Sequence, residues 1–351
     1  MAVPGRLLAL DVGTGTTDIL IFEPERRPEN SVKLVVPSRT QIVAAQIREA
    51  TRRRLPVVFV GPTMGGGPST KAMLAHLAAG LAFQATDSAA LSFDDDLANV
   101  TGRGLRLVSA DEVASPARTG AVEVRSGDVD LDALLRALAG LGVPTEFAGA
   151  CVAAQDHGFD PRGSNRVFRF EIWERALAAR TPLDELFWPA AEVPAELTRL
   201  RAAAAGLAAL PRVTAADTGP AALLGALGDD LDDAVLVNVG NCHTICAVAL
   251  DGRLAGIYED HSSRLDGGAL ESYVRRFLAG DLPGDEVREA GGHGAALGGP
   301  VPAGLPLLVT GPRRDLLAGG SLPVSFPAPF GDMMMTGPAG LIRAHRRRYG
   351  D

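Results

Sequence analysis

Two short apolar runs, residues 7–10 and 19–22, flank a polar stretch containing Asp11, Gly13, Thr14, Gly15, Thr16, Thr17 and Asp18. Short β-forming runs around glycines predict a strand, a tight turn and a second strand. A third strand is expected at residues 33–36. Ser38 or Thr40 then caps a helix to about Arg54, with Ile42, Val43, Ile47 and Ala50 on one face. Pro56 stops that helix, and a buried strand is expected at residues 57–60. The glycine-rich run 61–68 opens a helix over 69–79. It departs from a P-loop, because Gly67 and Pro68 stand where lysine and serine or threonine belong. It reads either as a loop over a ligand or as a plain connector.

Residues 81–130 alternate strand-like runs with turns, Asp94, Asp95 and Asp96 reading as a solvated loop. Asp130 caps a helix over 131–141, closed by Gly142. A small-residue strand over 147–154 ends in Gln155-Asp156-His157-Gly158, at the strand terminus where α/β folds place ligands. Both tryptophans and four phenylalanines fall in residues 159–212, which read as a helical insertion with helices at 168–179 and 194–209. Residues 214–227 read as one helix of small residues, and Asp229, Asp230, Asp232 and Asp233 as an acidic hinge. The pattern of the opening then returns: a strand at 234–239, a turn over Gly240, Asn241, Cys242, His243 and Thr244, and strands at 245–250 and 254–258. The chain is an internal repeat of two strand–turn–strand units.

The chain has 351 residues, enough for two lobes of ordinary domain size, and 46% are hydrophobic. No apolar run is long enough to span a membrane, and the start lacks a leader-like pattern, so a cytoplasmic protein is expected. A net charge of −8 argues against a general nucleic-acid binder. Cys151, Cys242 and Cys246 are too few and scattered for a disulfide framework. A turn of glycines and threonines offers N–H and hydroxyl donors to phosphate oxygens, and Asp11 beside it suits a hydrated magnesium ion. The alternative is an ordinary hairpin whose hydroxyls bond their own turn.

Taken in order, these segments resemble the superfamily of acetate and sugar kinases, heat-shock chaperones and actin. Residues 11–18 are similar to its first phosphate loop, and 238–244 to its second. Residues 220–227 and 335–340 resemble its two connecting helices, and 307–314 its adenosine segment. The resemblance implies an α/β protein of two ribonuclease-H-like lobes, residues 1–228 and 229–351, with the insertion near 159–212 on the first. It implies ATP and Mg2+ in the cleft between them. Gly13, Thr14, Gly15, Thr16, Gly240, Asn241, Thr244 and Gly311 would then bind nucleotide, and Asp11 would act on magnesium through water. Asn238 departs from the family pattern, which usually has aspartate there.

Residues 153–158 also resemble the strand-end segment of carbohydrate kinases, which would place Gln155 and His157 at a substrate. Asp217 resembles their aspartate that deprotonates the attacking hydroxyl; its other reading is a helix cap. These features imply phosphoryl transfer to a small hydroxylated metabolite. The alternative is an ATPase whose hydrolysis switches or activates a partner protein. The opening is also similar to an uncharacterised prokaryotic family sometimes labelled pyruvate-formate-lyase-activating. Cys242 and Cys246 lack the third ligand of a radical-enzyme C-x3-C-x2-C motif, so no iron–sulfur cluster is expected. His157, His243, His261 and His293 could line one cleft, but no pair has metal-ligand spacing, so no side-chain metal site is expected.

Overall fold

The computed structural model describes residues 5–114 and 120–350. In the first lobe Leu7–Val12 is central. It pairs antiparallel with Thr16–Phe22, which pairs with Val32–Pro37; on its other side Gly149–Ala154 and Val213–Ala216 run parallel to it, and Phe187–Pro189 closes that edge. The second sheet repeats this order. Ala234–Val239 is central, followed on one side by His243–Leu250, Arg253–His261 and Gly294–Leu297, all antiparallel. On the other side Leu307–Thr310 and Val324–Ser325 run parallel to it. A three-strand meander with parallel strands added beside its first strand is the ribonuclease-H-like pattern. The chain builds it twice, which makes the fold that of an actin-like ATPase.

The repeat extends to the turns. The Gly13 N–H donates to the Thr16 carbonyl at 2.9 Å, and the Gly240 N–H donates to the His243 carbonyl at 2.9 Å. Central strands are buried on both faces, which is why they read as unbroken apolar runs. Leu8, Leu10 and Val12 face one core, while Leu7 and Ala9 face another that they share with Leu236 and Ala247 of the second sheet. That shared core also holds Leu223, Leu224 and Leu341, from the helices Thr218–Leu227 and Thr336–Tyr349. These two helices pack on each other more extensively than any other pair of elements. They cross where neither carries a side chain. A Cβ on Gly225 would run into the Thr336 carbonyl, and one on Gly340 into the Ala221 carbonyl.

Two expectations change. Residues 214–227 are not one helix, because Val213–Ala216 is a buried strand and the helix starts only at Thr218, with Asp217 as its cap. The ladder to Gly149–Ala154 gives those small residues their backbone partners, and Pro220 sits in the first turn, where a missing N–H costs nothing. Within residues 57–125 a separate four-stranded parallel sheet forms, in the order Arg106–Leu107, Phe83–Ala85, Val57–Val60, Val122–Arg125. It has its own core around Phe59, Met73 and Phe83. The insertion near 159–212 contributes the helices Asn165–Ala178 and Thr198–Ala205 and an edge strand of the first sheet. Among the described residues no helix is long and apolar enough to cross a membrane.

The glycine crossing predicts that Gly340→Ala lowers stability by about 1–3 kcal/mol or more, since backbone cannot yield as a flexible side chain can. Gly299→Ala, where an added Cβ meets open space, is the control and should change stability by less than about 0.5 kcal/mol. Denaturant midpoints of the two variants check this.

Candidate functional site

The two tight turns face each other across a cleft, with the position of a Cβ on Gly15 only 3.7 Å from Asn241 Nδ2. The walls of the cleft include Asp11, Gly13, Thr14, Thr16, Asn238, Gly240, Asn241 and Gly311. Most of the expected nucleotide set therefore meets in one place. The first turn is tied from outside: Ser38 Oγ and Gln41 Nε2 donate to the Thr14 carbonyl at 3.0 and 3.3 Å. Gly311, at φ +96°, lies so close over the Val239 carbonyl that no side chain fits there. Both central helices begin at this cleft, with Thr218, Gly219, Thr336 and Gly337 on its wall. Helix starts carry positive partial charge and free N–H groups.

Thr244 does not belong to the set. It is fully buried, and its hydroxyl pairs with Ser262 Oγ at 2.9 Å, because the alternation of its strand turns it away from the turn's open side. Gly15 is beside the cleft, facing Asn241, rather than among its wall residues.

Asp11 accepts from Thr218 Oγ1 at 3.0 Å, and Gly337 exists as glycine because a Cβ there would strike the Asp11 carboxylate. Burial, and then the charge of Asp18, push the Asp11 carboxyl well above the usual carboxylate range. Asp18 is pushed up to about 7, first by burial, with Asp332 adding to the effect against a Thr16 hydrogen bond. Its Oδ1 is buried without a hydrogen-bond partner. Sequence reasoning placed Asp18 in the motif but gave it no role. Two buried carboxylates, one with an orphaned oxygen, fit a cation held at this wall.

Asp217 lies in the cleft wall, but its carboxylate is fully engaged. Oδ1 accepts from the Gly219 N–H at 2.9 Å and Arg169 Nη2 at 3.0 Å; Oδ2 accepts from the Asp156 N–H at 2.8 Å and Arg169 Nη1 at 2.8 Å. A base needs a free lone pair aimed at the proton it takes. The expected general-base role is therefore corrected to a cap and charge partner. Arg169 also donates through Nε to Glu259 of the second sheet at 2.8 Å, and Trp173 Nε1 donates to the same carboxylate at 2.8 Å. Burial would raise Glu259, but Arg169 and nearby imidazoles hold it down at about 2. No signal in the sequence joins residues 169, 217 and 259. Their separation hides the triad.

Gln155 lines both this cleft and a second cavity beside it, whereas His157 lines the second cavity alone. That cavity is walled by Gly65, Gly66 and Gly67 of the glycine-rich loop and by Asp94 and Asp95, so the loop faces a cavity rather than merely connecting. Nor is the acidic run simply solvated: Asp95 accepts from the Asp160 N–H at 3.1 Å and Asp96 caps Leu97–Gly102. The pair of half-buried Arg199 and buried Asp128, at 2.7 Å, anchors this wall, with Arg199 Nη1 donating to the Gln155 carbonyl at 2.6 Å.

The histidines come together in space although they lack metal-ligand spacing along the chain. His157, His243 and His293 place one ring nitrogen each within 4.8 Å of one another. Three separate segments deliver them, so their proximity does not show in the spacing along the chain. The His261 ring lies 4.8 Å from that of His243 and 4.9 Å from that of His293. Burial drives His243 down to about 3 and His293 down to about 4. Cys151 and Cys246 are fully buried in strands of different sheets, and burial raises both thiols out of reactive range.

No curated protein matches the chain. Among solved structures it is similar to the ethanolamine utilization protein EutJ from Carboxydothermus hydrogenoformans, at 11% identity and a TM-score of 0.37, covering 97% of this chain and 89% of that one. An exopolyphosphatase-like protein is similar at 10% identity and a TM-score of 0.26, over 87% of this chain and 65% of that one. Both overlaps are loose, and the fold assignment rests on the repeated strand order. Residues 64–316 match the family described as "Putative pyruvate format-lyase activating enzyme (DUF1786)", and over that majority of its length the chain belongs to that family.

Proposed function

We propose that the chain binds ATP with Mg2+ between its lobes and uses hydrolysis to switch or activate a partner protein. The observation that carries this reading is the facing pair of turns, with Asp11 and Asp18 beside them and two helix starts behind. Asp11 and Asp18 would hold the ion, and when bound it would neutralise phosphate charge. Thr14, Thr16 and Asn241 would bind phosphate oxygens, and Thr310 and Gly311 would flank the adenosine. Switching is favoured over substrate phosphorylation because Asp217 has no free lone pair. Arg169 ties the start of a first-lobe helix to a strand of the second lobe, so any change of lobe angle must act on this ion triad. The family description names an activating enzyme. Cys151 and Cys246 are buried in different sheets and only Cys242, in the second turn, is partly exposed, which favours ATP-driven activation over radical generation on a three-cysteine cluster. The second cavity, with Gln155 and His157, supports phosphoryl transfer to a small hydroxylated molecule as the second reading. Product analysis separates the two: free phosphate stimulated by a partner, or a phosphorylated metabolite.

Mg-ATP should raise the melting temperature, since a ligand of the folded state shifts unfolding by mass action. Asp11→Asn should remove the magnesium-dependent part of that rise and spare the rest. An unchanged melting temperature at millimolar Mg-ATP would refute nucleotide binding.

Asp18 gives the ligand-free protein a pH signature. A carboxyl whose folded pKa is raised to about 7 contributes stability that is full below its unfolded value, near 4, and is lost as pH rises through about 7. Melting temperature should thus fall between about pH 4 and 7 by more in the wild type than in Asp18→Asn. Equal slopes in the two proteins would show that Asp18 is not the titrating group.

Asp217→Asn removes one charge from the Arg169 triad. It should lower stability by about 1–3 kcal/mol, measured by denaturant titration. A true general base would instead lose about 10²- to 10⁴-fold in turnover with stability intact.

A further inference from the structure

We propose that His157, His243 and His293 form a binding site for one divalent transition-metal ion of the zinc type, clamping the first lobe to the second. This site is independent of the nucleotide reading. His157 follows the first-lobe strand Gly149–Ala154, while His243 opens the second-lobe strand His243–Leu250 and His293 immediately precedes Gly294–Leu297. One nitrogen from each lies within 4.8 Å of the other two. Tetrahedral zinc with nitrogen at about 2.0–2.1 Å needs ligand nitrogens roughly 3.4 Å apart, so ring movements of about an ångström close the set.

The hydrogen bonding makes the same case. His293 is 0% exposed, yet neither of its ring nitrogens has a partner, and both nitrogens of His243 are likewise buried and unpaired. Buried polar groups are almost always satisfied, because leaving one bare costs free energy. Two adjacent imidazoles with bare nitrogens, one nitrogen of each in the same cluster, call for an acceptor of lone pairs. A metal ion is one. The charge balance also favours a cation, since Arg169 offsets only one of the two buried carboxylates, Asp217 and Glu259, that it joins beside the cluster. All-nitrogen ligation selects zinc, cobalt or nickel over magnesium and calcium, which require oxygen. Three side chains leave a fourth position open, and His157 and His243 border the second cavity from which an exogenous ligand would enter.

The test is titration of metal-depleted full-length protein with Co2+, read by its visible ligand-field absorption, with Zn2+ as competitor. We expect one equivalent bound, displaced by Zn2+, and a higher melting temperature with Zn2+. His243→Ala and His293→Ala should weaken binding at least about 100-fold, more than loss of an outer-shell partner does, and His261→Ala should change it less than about threefold. Should removal of a buried histidine prevent folding, His157→Gln alters a half-buried ligand and should also weaken binding about 100-fold. Absence of a stoichiometric cobalt spectrum would overturn the site, as would full binding by the folded His157→Gln protein, or loss of binding in His261→Ala.

Discussion

The cleft between the two sheets depends on two helices being able to touch at their backbones. Gly225 and Gly340 let Thr218–Leu227 and Thr336–Tyr349 approach until carbonyl meets glycine, and that distance sets how closely the lobes can stand. Each helix opens with the same four residues, Thr218-Gly219-Pro220-Ala221 and Thr336-Gly337-Pro338-Ala339. Each second-position glycine reaches into the opposite hairpin: a Cβ on Gly337 would strike Asp11 of the first lobe, and one on Gly219 would strike Ile245 of the second. The cleft is a consequence of the crossing. Two helix starts converge on two hairpin turns because the helices cannot be held apart by side chains.

Arg169 meets a different constraint in the same place. It is 3% exposed and carries two carboxylates, one of them capping the first of these helices. A buried ion pair is costly to assemble and costlier to break, because a lone charge remains in a poor solvent. Parting Arg169 from Glu259 would strand a carboxylate that is 0% exposed, so the lobes have strong reason to move as the triad allows. Capping the helix and bridging the lobes through one aspartate couples the cleft's floor to the second sheet. That coupling is what a switch requires and what a free general base would forbid.

The fold was legible because it is repeated. Leu7–Val12 and Ala234–Val239, each followed by a glycine turn and a second strand, announce the duplication through local pattern alone, and the turns reproduce it down to the Gly13 and Gly240 hydrogen bonds. The cleft's walls were legible for the same reason, since residues of those turns line it. Where reading failed, the information was not local. Val213–Ala216 is only four residues long, its two alanines continue into the small-residue run of the helix, and its neighbours in the sheet make it a strand. Thr244 looked like a phosphate ligand until strand alternation turned it inward to Ser262. Arg169, Glu259 and the histidines lie far apart in the chain, and no spacing rule could join them. The duplicated Thr-Gly-Pro-Ala run was a usable signal that the reading passed over.

The carboxylate pair and the histidine cluster at this interface differ in donor chemistry as well as in position. Asp11 and Asp18 offer oxygen, with an orphaned carboxylate oxygen and carboxyls raised mainly by burial. His157, His243 and His293 offer nitrogen, held neutral by burial. Hard oxygen donors suit magnesium, which keeps its waters and comes with phosphate. Neutral imidazoles select borderline ions that bind without any nucleotide. Because His243 lines the nucleotide cleft as well as the histidine cluster, the two environments share a wall. A nucleotide-dependent movement of the second turn would therefore move a histidine of the cluster with it. The same short segment, from Gly240 to His243, thus borders the cleft on one side and the histidine cluster on the other, although each proposed site is argued from its own residues.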